Sequence, residues 1–418
     1  MVGDEHESRV VGPRRFFYRR PNVAHGAVEL LERGNAGSRV VVVVRRVVEL
    51  GVVVVEVIEL GAFREFSDDI ALSLTNGHPR RFEAERPLVD DYYRERTADL
   101  SRVTVPLLSA ANWGGQGLHT RGNFEGFTRA ASKQKWLEVH GGSHWAPFYT
   151  DYGVKLQKRF FDHFLKGADN AWKRQPRVQL QVRHVDRFVE RHENEWPLAR
   201  TRWTRYYLAL AERALSTNPP GGKASLEYDA LGDGLTFSTP PLKQPLELTG
   251  PAALKLFLSS STSDADVFVI LRVFDPRGRE VVFQGALDPH TPIAQGWLRA
   301  SHRRLDPDMT LPYRPYHTHD VLEPLTPGKP VELDIEIWPT CIVVPAGYRI
   351  ALTIRGKDYE YDGPGATLSN MKNVMRGCGP FVHDDPIDRP EKVFRGKVTL
   401  HANVEQQPYL LLPVIPNE

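Results

Sequence analysis

The stretch VPLLSAANWGG, residues 105–115, and the stretch GGSHW, residues 141–145, together decide the fold of this chain. The first is an apolar run that ends in a glycine-rich loop. The second follows another short apolar run, residues 136–140, and places His144 on a loop just before a predicted helix. In an open α/β sheet, functional groups lie where strands end and loops begin at the carboxyl edge. We therefore expect both loops at the same edge of a sheet.

His144 is the candidate general base at this edge. The last strands of an α/β-hydrolase deliver the acid and the histidine of a Ser-Asp-His triad in a fixed order: strand, loop, helix, second strand, and a loop with the histidine. The elements predicted here follow that order. Histidine suits this role because its pKa lies near neutrality and a carboxylate can orient its second nitrogen. The alternative is a histidine that only caps the following helix or packs beneath it.

The other two members of a triad are not evident in the sequence. No Gly-x-Ser-x-Gly elbow occurs in the chain, and Ser143 adjoins His144, a spacing that rarely aligns a hydroxyl with the neighbouring imidazole. We therefore assign no nucleophile. The loop after Trp113 carries no carboxylate before Glu125, which should already lie on the next helix. Glu125 is a candidate substitute acid, but a solvated helical glutamate is the favoured interpretation.

The composition is that of a globular protein with two or three domains. The chain has 418 residues, 41% of them hydrophobic and 25% charged, and its formal net charge is only +2. This balance gives no reason to expect nucleic acid or an anionic membrane as a partner. Two cysteines are too few for a disulfide framework, and the polar N-terminus shows no signal pattern. We expect a cytoplasmic protein without cofactor or metal, and homo-oligomerisation is left open.

Residues 1–89 form an irregular, valine-rich segment, whose composition suggests an artefact. Residues 40–57 are interrupted by four charged side chains, so β-structure is favoured over a membrane span, which needs about 20 apolar residues in a row. The near-repetitive composition leads to the hypothesis of a reading-frame error upstream of about residue 75. A β-prone segment of this kind is an aggregation hazard if it is exposed.

Residues 90–170 are predicted to be part of an α/β-hydrolase domain. Strands are expected over 103–111 and 135–140, with a short helix between them that Asn123 caps and that runs to about Ser132. The apolar character of both strands is typical of a buried sheet.

An amphipathic helix is predicted over residues 154–165, where leucine and phenylalanine recur at helical spacing. Thr150 or Asp151 is expected to cap its first turn. Gly167 follows its last turn, and glycine is the usual residue just past the end of a helix.

Residues 177–418 are predicted to form an all-β domain, a jelly-roll β-sandwich. Short segments alternate between apolar and polar residues, as at 178–182, 254–258 and 333–337, and a period of two is typical of antiparallel sheets with one wet face. Residues 267–283 have the pattern of a hairpin around an Asp-Pro-Arg-Gly turn.

Two further groups are candidate metal sites. His317 and His319 lie on the same side of an extended segment, as a strand-borne zinc site would need, but an ordered loop is favoured because no further ligand cluster is evident. Asp264 and Asp266 lie at the entry to a strand, where turn capping or local hydrogen bonding is the default.

From about residue 90 to its end, the chain resembles the cocaine esterase-like/NonD hydrolases, whose relatives include Xaa-Pro dipeptidyl-peptidases and α-amino-acid ester hydrolases. Motifs that carry the resemblance lie in six segments of the sequence: 105–115, 142–145, 160–167, 298–301, 323–328 and 346–349. The family implies an α/β-hydrolase domain, a helical cap and a C-terminal jelly roll, and residues 1–89 would then hold a remnant of the cap. His144 matches the general base of the family. The position that usually holds the acid, two residues after Trp113, is Gly115 here.

The resemblance implies hydrolysis of a small ester, amide or peptide substrate through an acyl-enzyme intermediate. Nothing in the chain matches the family's nucleophile elbow or its oxyanion tyrosine, so we expect the chain alone to be inactive. The alternative is a non-catalytic binding or assembly module, in which the jelly roll holds a carbohydrate or a partner subunit. An exposed aromatic platform, formed for instance by Tyr313 and Tyr316, would favour that alternative. A third possibility is that the gene encodes a complete enzyme.

Overall fold

The computed structural model describes residues 86–117, 119–144, 146–286, 288–365, 375–377 and 382–416, together with two short strands near the N-terminus. These two strands, β1 (Val44–Val47) and β2 (Val52–Val55), pair antiparallel. The valine-rich segment thus has β-structure, as predicted. The remaining predictions for residues 1–85, and the second cysteine, Cys378, lie outside the described residues.

The first folded unit is a four-stranded mixed sheet. Its strands, in the order in which they pair, are β3 (Leu107–Asn112), β4 (Lys135–His140), β5 (Val178–Arg183) and β6 (Phe188–Glu193). The first three run parallel and the last is antiparallel to its neighbour. The loops after β3 and β4 therefore leave the same edge of the sheet, as the sequence predicted.

Helices lie before and between the strands of this sheet. They are α1 (Asp91–Arg96), α2 (Thr120–Arg129), α3 (Ala146–Tyr149) and α4 (Asp151–Lys166). The helix predicted over 154–165 is confirmed as the central part of α4. The hydroxyl of Thr150 accepts a hydrogen bond from the N–H of Gly153, and Gly167 ends the helix in a left-handed conformation with φ of 66°.

The helix between β3 and β4 begins earlier than predicted. Its first residue is Thr120, and His119 occupies the N-cap position. Asn123 lies inside the helix, where its amide donates to the carbonyl oxygen of Ala110 at 3.1 Å. The side chain that was expected to cap the helix therefore ties it to β3 instead.

β5 is the first strand of the segment, residues 177–418, that the sequence predicts to be all-β. The strand pairs with β4 and belongs to the mixed sheet. The alternation of apolar and polar residues in β5 does not mark a face exposed to solvent, because the polar side chains find hydrogen-bond partners inside the unit. Gln179 donates to the hydroxyl of Tyr152, and Gln181 accepts a hydrogen bond from the N–H of Gly141.

The second unit is an 11-stranded sheet. Its strands are β7 (Arg202–Ala209), β8 (Ala214–Ser216), β9 (Ala224–Asp229), β10 (Leu235–Ser238), β11 (Leu246–Ser260), β12 (Asp266–Phe274), β13 (Ala294–Arg299), β14 (Val331–Val344), β15 (Arg349–Arg355), β16 (Lys397–Ala402) and β17 (Tyr409–Ile415). One helical turn, α5 (Glu391–Phe394), precedes β16. The pairing order is β13-β12-β15-β10-β8-β7-β17-β11-β16-β9, with β14 on β11. All but the single β8–β10 bridge are antiparallel, as predicted for this part of the chain.

A single apolar core fills this unit. Leu254, Leu256 and Leu258 of β11 are fully buried, while Lys255 on the other face pairs with Asp334 at 2.9 Å. The alternation of apolar and polar residues in β11 therefore separates a buried face from a face with charged side chains, as predicted. Gly296 of β13 lies so close to β14 that a Cβ atom would be 1.9 Å from the carbonyl oxygen of Glu336, and only glycine fits.

The two units share an apolar contact. Trp113, Phe124 and Leu137 of the mixed sheet and its helix α2 belong to the same buried cluster as Cys341 of β14. Cys341 is a free thiol. Within the described part of the chain, no helix has the length and apolar character needed to cross a membrane.

Candidate active site

His144 lies on the loop after β4, at the carboxyl edge of the mixed sheet. Its N–H donates to the carbonyl oxygen of Ala286 at 3.1 Å. Its ring stacks on that of His119, with ring centroids 4.5 Å apart and planes 23° from parallel. Burial, together with the nearby charge of His140, lowers the pKa of His144 below its ordinary value. The imidazole is therefore neutral near pH 7 and able to accept a proton.

Asn112, the last residue of β3, ties the two loops of this edge together. Its side-chain oxygen accepts the N–H of Gly114 at 2.9 Å, and its amide donates to the carbonyl oxygen of Gly142 at 2.9 Å. Asn112 is only 1% exposed, and its hydrogen bond with Gly114 is buried. Gly142 has a φ of 76°, a left-handed conformation that other residues seldom adopt.

A loop of the 11-stranded unit, which includes Gly285 and Ala286, contacts this edge of the mixed sheet. The N–H of Ala286 donates to the carbonyl oxygen of Gly114 at 2.8 Å. Gly114 approaches Gly285 so closely that a Cβ atom on Gly114 would be 2.4 Å from the Cα atom of Gly285. The candidate site is thus built from both units of the chain.

Glu125, the candidate substitute acid, is buried in the contact between the units. It is 6% exposed and therefore not the solvated glutamate that the sequence favoured. Both of its carboxylate oxygens lie 2.6 Å from Nη1 of Arg314, and Arg129 lies 3.6 Å away. These contacts give Glu125 the role of an ion-pair partner for Arg314, and its role as an acid stays a prediction.

Sequence reasoning missed a second buried carboxylate, Glu138 on β4. Its Oε2 atom lies 2.9 Å from Nδ1 of His140, and its Oε1 atom accepts a hydrogen bond from the hydroxyl of Tyr152 at 3.1 Å. Gln179 donates to that hydroxyl at 3.0 Å. The signal was available, since polar residues two apart in an otherwise apolar strand share one face. This hydrogen-bonded chain ends at His140, whose charge influences His144.

The residues that the sequence named as candidate metal ligands lie in the second unit. His317 and His319 are buried beside His302, whose Nδ1 atom lies 3.1 Å from that of His319. Among the described residues, no group of three or more histidine, cysteine or acidic side chains could hold a metal. Asp264 accepts a local hydrogen bond from the N–H of Ala265, the kind of bonding that the sequence favoured, and a second one from the N–H of the distant Ser301.

Asp266 lies at the centre of a buried ion-pair network. Arg299 and Arg389 both donate to its carboxylate, at 2.9 Å and 2.8 Å. The aromatic platform that would favour carbohydrate binding is not formed, because Tyr316 is 6% exposed and Tyr313 stacks on Trp203 with centroids 4.1 Å apart.

Residues 170–371 match the family model of the X-Pro dipeptidyl-peptidase C-terminal non-catalytic domain. The protein named "Putative serine esterase" of Mycobacterium bovis is 29% identical over 275 residues, which are 56% of this chain and 40% of that protein. The cocaine esterase of a Rhodococcus species is 26% identical over 310 residues, 65% of this chain and 47% of the esterase. The chain thus spans less than half the length of these curated relatives.

A CocE/NonD family hydrolase from Staphylococcus aureus superimposes with a TM-score of 0.73 at 30% identity, covering 80% of this chain and 58% of that structure. An α-amino acid ester hydrolase shares the fold alone, with a TM-score of 0.60 at 16% identity over 85% of this chain and 69% of that structure. The resemblance predicted from the sequence is confirmed: the chain is similar in sequence and structure to the CocE/NonD hydrolases, and its residues 170–371 match the C-terminal non-catalytic domain of X-Pro dipeptidyl-peptidase.

Proposed function

We propose that the mixed sheet is the C-terminal part of an α/β-hydrolase domain, that the second unit is a jelly roll, and that His144 is the general base of a serine hydrolase. The observation that carries this proposal is the position of His144. It follows the carboxyl end of β4, beside the loop of Trp113, and Asn112 holds the two loops together. This is the edge of the sheet at which α/β proteins place their chemistry.

In the proposed reaction, neutral His144 removes the proton of a serine hydroxyl while the serine oxygen attacks the carbonyl carbon of an ester or amide. The C–O or C–N bond then breaks, the leaving group takes the proton from His144, and an acyl-enzyme remains. Water hydrolyses the acyl-enzyme by the same proton transfers. The lowered pKa of His144 supports the first step, because the ring is unprotonated at neutral pH.

The serine is proposed to belong to a part of the hydrolase domain that precedes β3 in longer relatives. Within the described residues, β3 pairs on one side only, with β4. A strand at the edge of a sheet presents unpaired N–H and C=O groups to a further strand. We accordingly propose that the chain alone does not hydrolyse esters, and that its substrate class is a small ester, amide or peptide. The free, buried Cys341 supports a reducing compartment such as the cytoplasm.

A fluorophosphonate probe tests the proposal in two arms. The chain alone should show no serine labelling by mass spectrometry. A chimera in which the segment preceding β3 comes from the S. aureus hydrolase should be labelled on a serine and should lose labelling on His144→Ala. Stoichiometric labelling of the chain alone would overturn its proposed inactivity. A chimera labelled equally well with and without His144 would overturn the role of the histidine.

A further inference from the structure

We propose that residues 284–286 of the second unit are a positioning element of the candidate active site, which holds the His144 loop and the Trp113 loop together through backbone hydrogen bonds. The inference rests on the proposed role of His144 as the base. It gives a role in the active site to a unit whose family model is described as non-catalytic.

Ala286 forms one backbone hydrogen bond with each loop. Its N–H donates to the carbonyl oxygen of Gly114 at 2.8 Å, and its carbonyl oxygen accepts the N–H of His144 at 3.1 Å. Both distances are those of normal N–H···O bonds. Because only backbone atoms take part, Ala286 links the two loops independently of its own side chain.

Close packing at two glycines fixes the approach of the segment to the Trp113 loop. A Cβ atom on Gly114 would be 2.7 Å from the carbonyl oxygen of Gln284, and one on Gly285 would be 2.4 Å from Cγ2 of Thr291. Distances this short are sterically forbidden for such atoms, so both positions require glycine. Gly114 of the first unit and Gly285 of the second unit therefore pack against each other where a side chain would not fit.

Hydrogen bonds inside the loop hold the segment in place independently of the first unit. The N–H of Gly285 donates to the carbonyl oxygen of Asp288 at 2.6 Å, and the amide of Gln284 donates to the carbonyl oxygen of Gly285 at 3.0 Å. The carboxylate of Asp288 accepts the N–H of His290 at 3.0 Å and is 1% exposed. A preformed loop of this kind can impose its geometry on a partner.

The pKa of His144 reports whether the segment is in place. Burial is the main cause of its lowered pKa, and the charge of His140 adds to it. His119, on the loop that leads into α2, stacks on the ring of His144. Glu138 is hydrogen-bonded to His140 on β4. Displacement of the segment breaks the hydrogen bond between the N–H of His144 and Ala286 and frees the His144 loop, so the imidazole should become more exposed to water. The pKa should then rise towards its ordinary value of about 6.5.

The test uses the full chain with ¹³C-labelled histidine, in which His144→Ala identifies the resonance of His144. Gly285→Ala adds the clash with Thr291 and displaces the segment. Thr291→Ser removes Cγ2 and keeps the hydroxyl that donates to Phe283, so the double variant relieves the clash. The readouts are the pKa of His144 and the hydrogen exchange rate of its N–H.

We expect Gly285→Ala to raise the pKa of His144 by at least about half a unit and to speed exchange of its N–H by about tenfold, while the double variant reverses at least half of both changes. Unchanged values in Gly285→Ala, or changes that Thr291→Ser does not reverse, would overturn the inference. Gln284→Leu, which deletes amide hydrogen bonds without a clash, should shift both readouts in the same direction if Gly285→Ala does not fold. None of these measurements needs a nucleophile, so the chimera can fail in the labelling test while this inference stands.

Discussion

Nε of Arg121 lies 2.6 Å from Oε2 of Glu336, with about nine-tenths of each side chain buried. Arg121 is in the first turn of α2 and Glu336 is in the middle of β14, so the ion pair crosses from one unit to the other. Glu125 and Arg314 make a second pair across the same contact with the charges reversed. The contact behind the candidate site is therefore held by buried charges as well as by apolar packing, and its stability should depend on pH.

Glu336→Gln should abolish one part of that pH dependence. Burial, only partly opposed by Arg121, raises the pKa of Glu336 from 4.5 to about 7. The folded chain then binds this proton more tightly than the unfolded chain, so the contribution of Glu336 to stability falls as the pH rises from about 4.5 to about 7. Relative to the wild type, the variant should gain on the order of 3 kcal/mol between pH 4.5 and pH 8.

The measurement is urea unfolding of both proteins across this pH range, in which titrating groups that do not interact with Glu336 cancel in the difference. A stability difference that stays constant with pH would contradict the prediction.

Glu125→Gln should separate the two roles considered for Glu125. As the partner of Arg314, the carboxylate compensates a guanidinium that is itself largely buried, and its loss should cost about 3 kcal/mol of unfolding free energy. The pKa of His144 should not change. If Glu125 is instead the acid of the site, removal of its negative charge should lower the pKa of His144, which NMR titration would detect.

Arg183→Ala should be among the most destabilising substitutions in the chain. Arg183 is 1% exposed and donates to the carbonyl oxygens of Cys341 and Ile293 and to the hydroxyl of Thr340. Truncation leaves buried acceptors unsatisfied and a cavity between the units, so we expect a loss of about 3 kcal/mol or more, since each unsatisfied group costs about 1–3 kcal/mol.

Chemical unfolding measures this loss. Arg205→Ala is the matched control, because Arg205 is an exposed arginine on β7 that covers the ring of Tyr409. A loss from Arg183→Ala no larger than that from Arg205→Ala would show that the buried hydrogen bonds contribute little.

Local signals predicted the parts of the fold that depend on neighbours in sequence. The cap at Thr150 and the stop at Gly167 fix α4 because both act within one helical turn. The hairpin after β12 follows from Asp275, whose carboxylate accepts the N–H groups of Arg277 and Arg279. The candidate base, His144, lies at the predicted sheet edge because β3 and β4 are parallel neighbours.

Contacts between residues far apart in sequence were not predictable. The alternation in β5 predicts polar side chains that face solvent, whereas Gln179 is buried against Tyr152. Ala286 contacts Gly114 from a distant part of the chain, and backbone hydrogen bonds leave no mark on residue type. Only glycine at positions 114 and 285 hints at the close approach, and glycine is also common in loops because it adopts turn conformations at no steric cost.

The buried pair of Glu138 and His140 on β4 has an exposed counterpart on β6, where Glu190 and His192 have the same spacing and lie 2.9 Å apart. Tyr152→Phe removes one hydrogen-bond donor from the buried carboxylate of Glu138 and should cost about 1–3 kcal/mol of unfolding free energy, because a buried acceptor is left short of a partner. Glu138→Gln should cost more, since the charge that bonds both Tyr152 and His140 is lost. Glu190→Gln should change the unfolding free energy by no more than the error of urea titration, because water solvates both partners. If the buried and exposed substitutions have equal effects, the hydrogen-bonded chain that leads from Glu138 towards the candidate site does not stabilise the sheet.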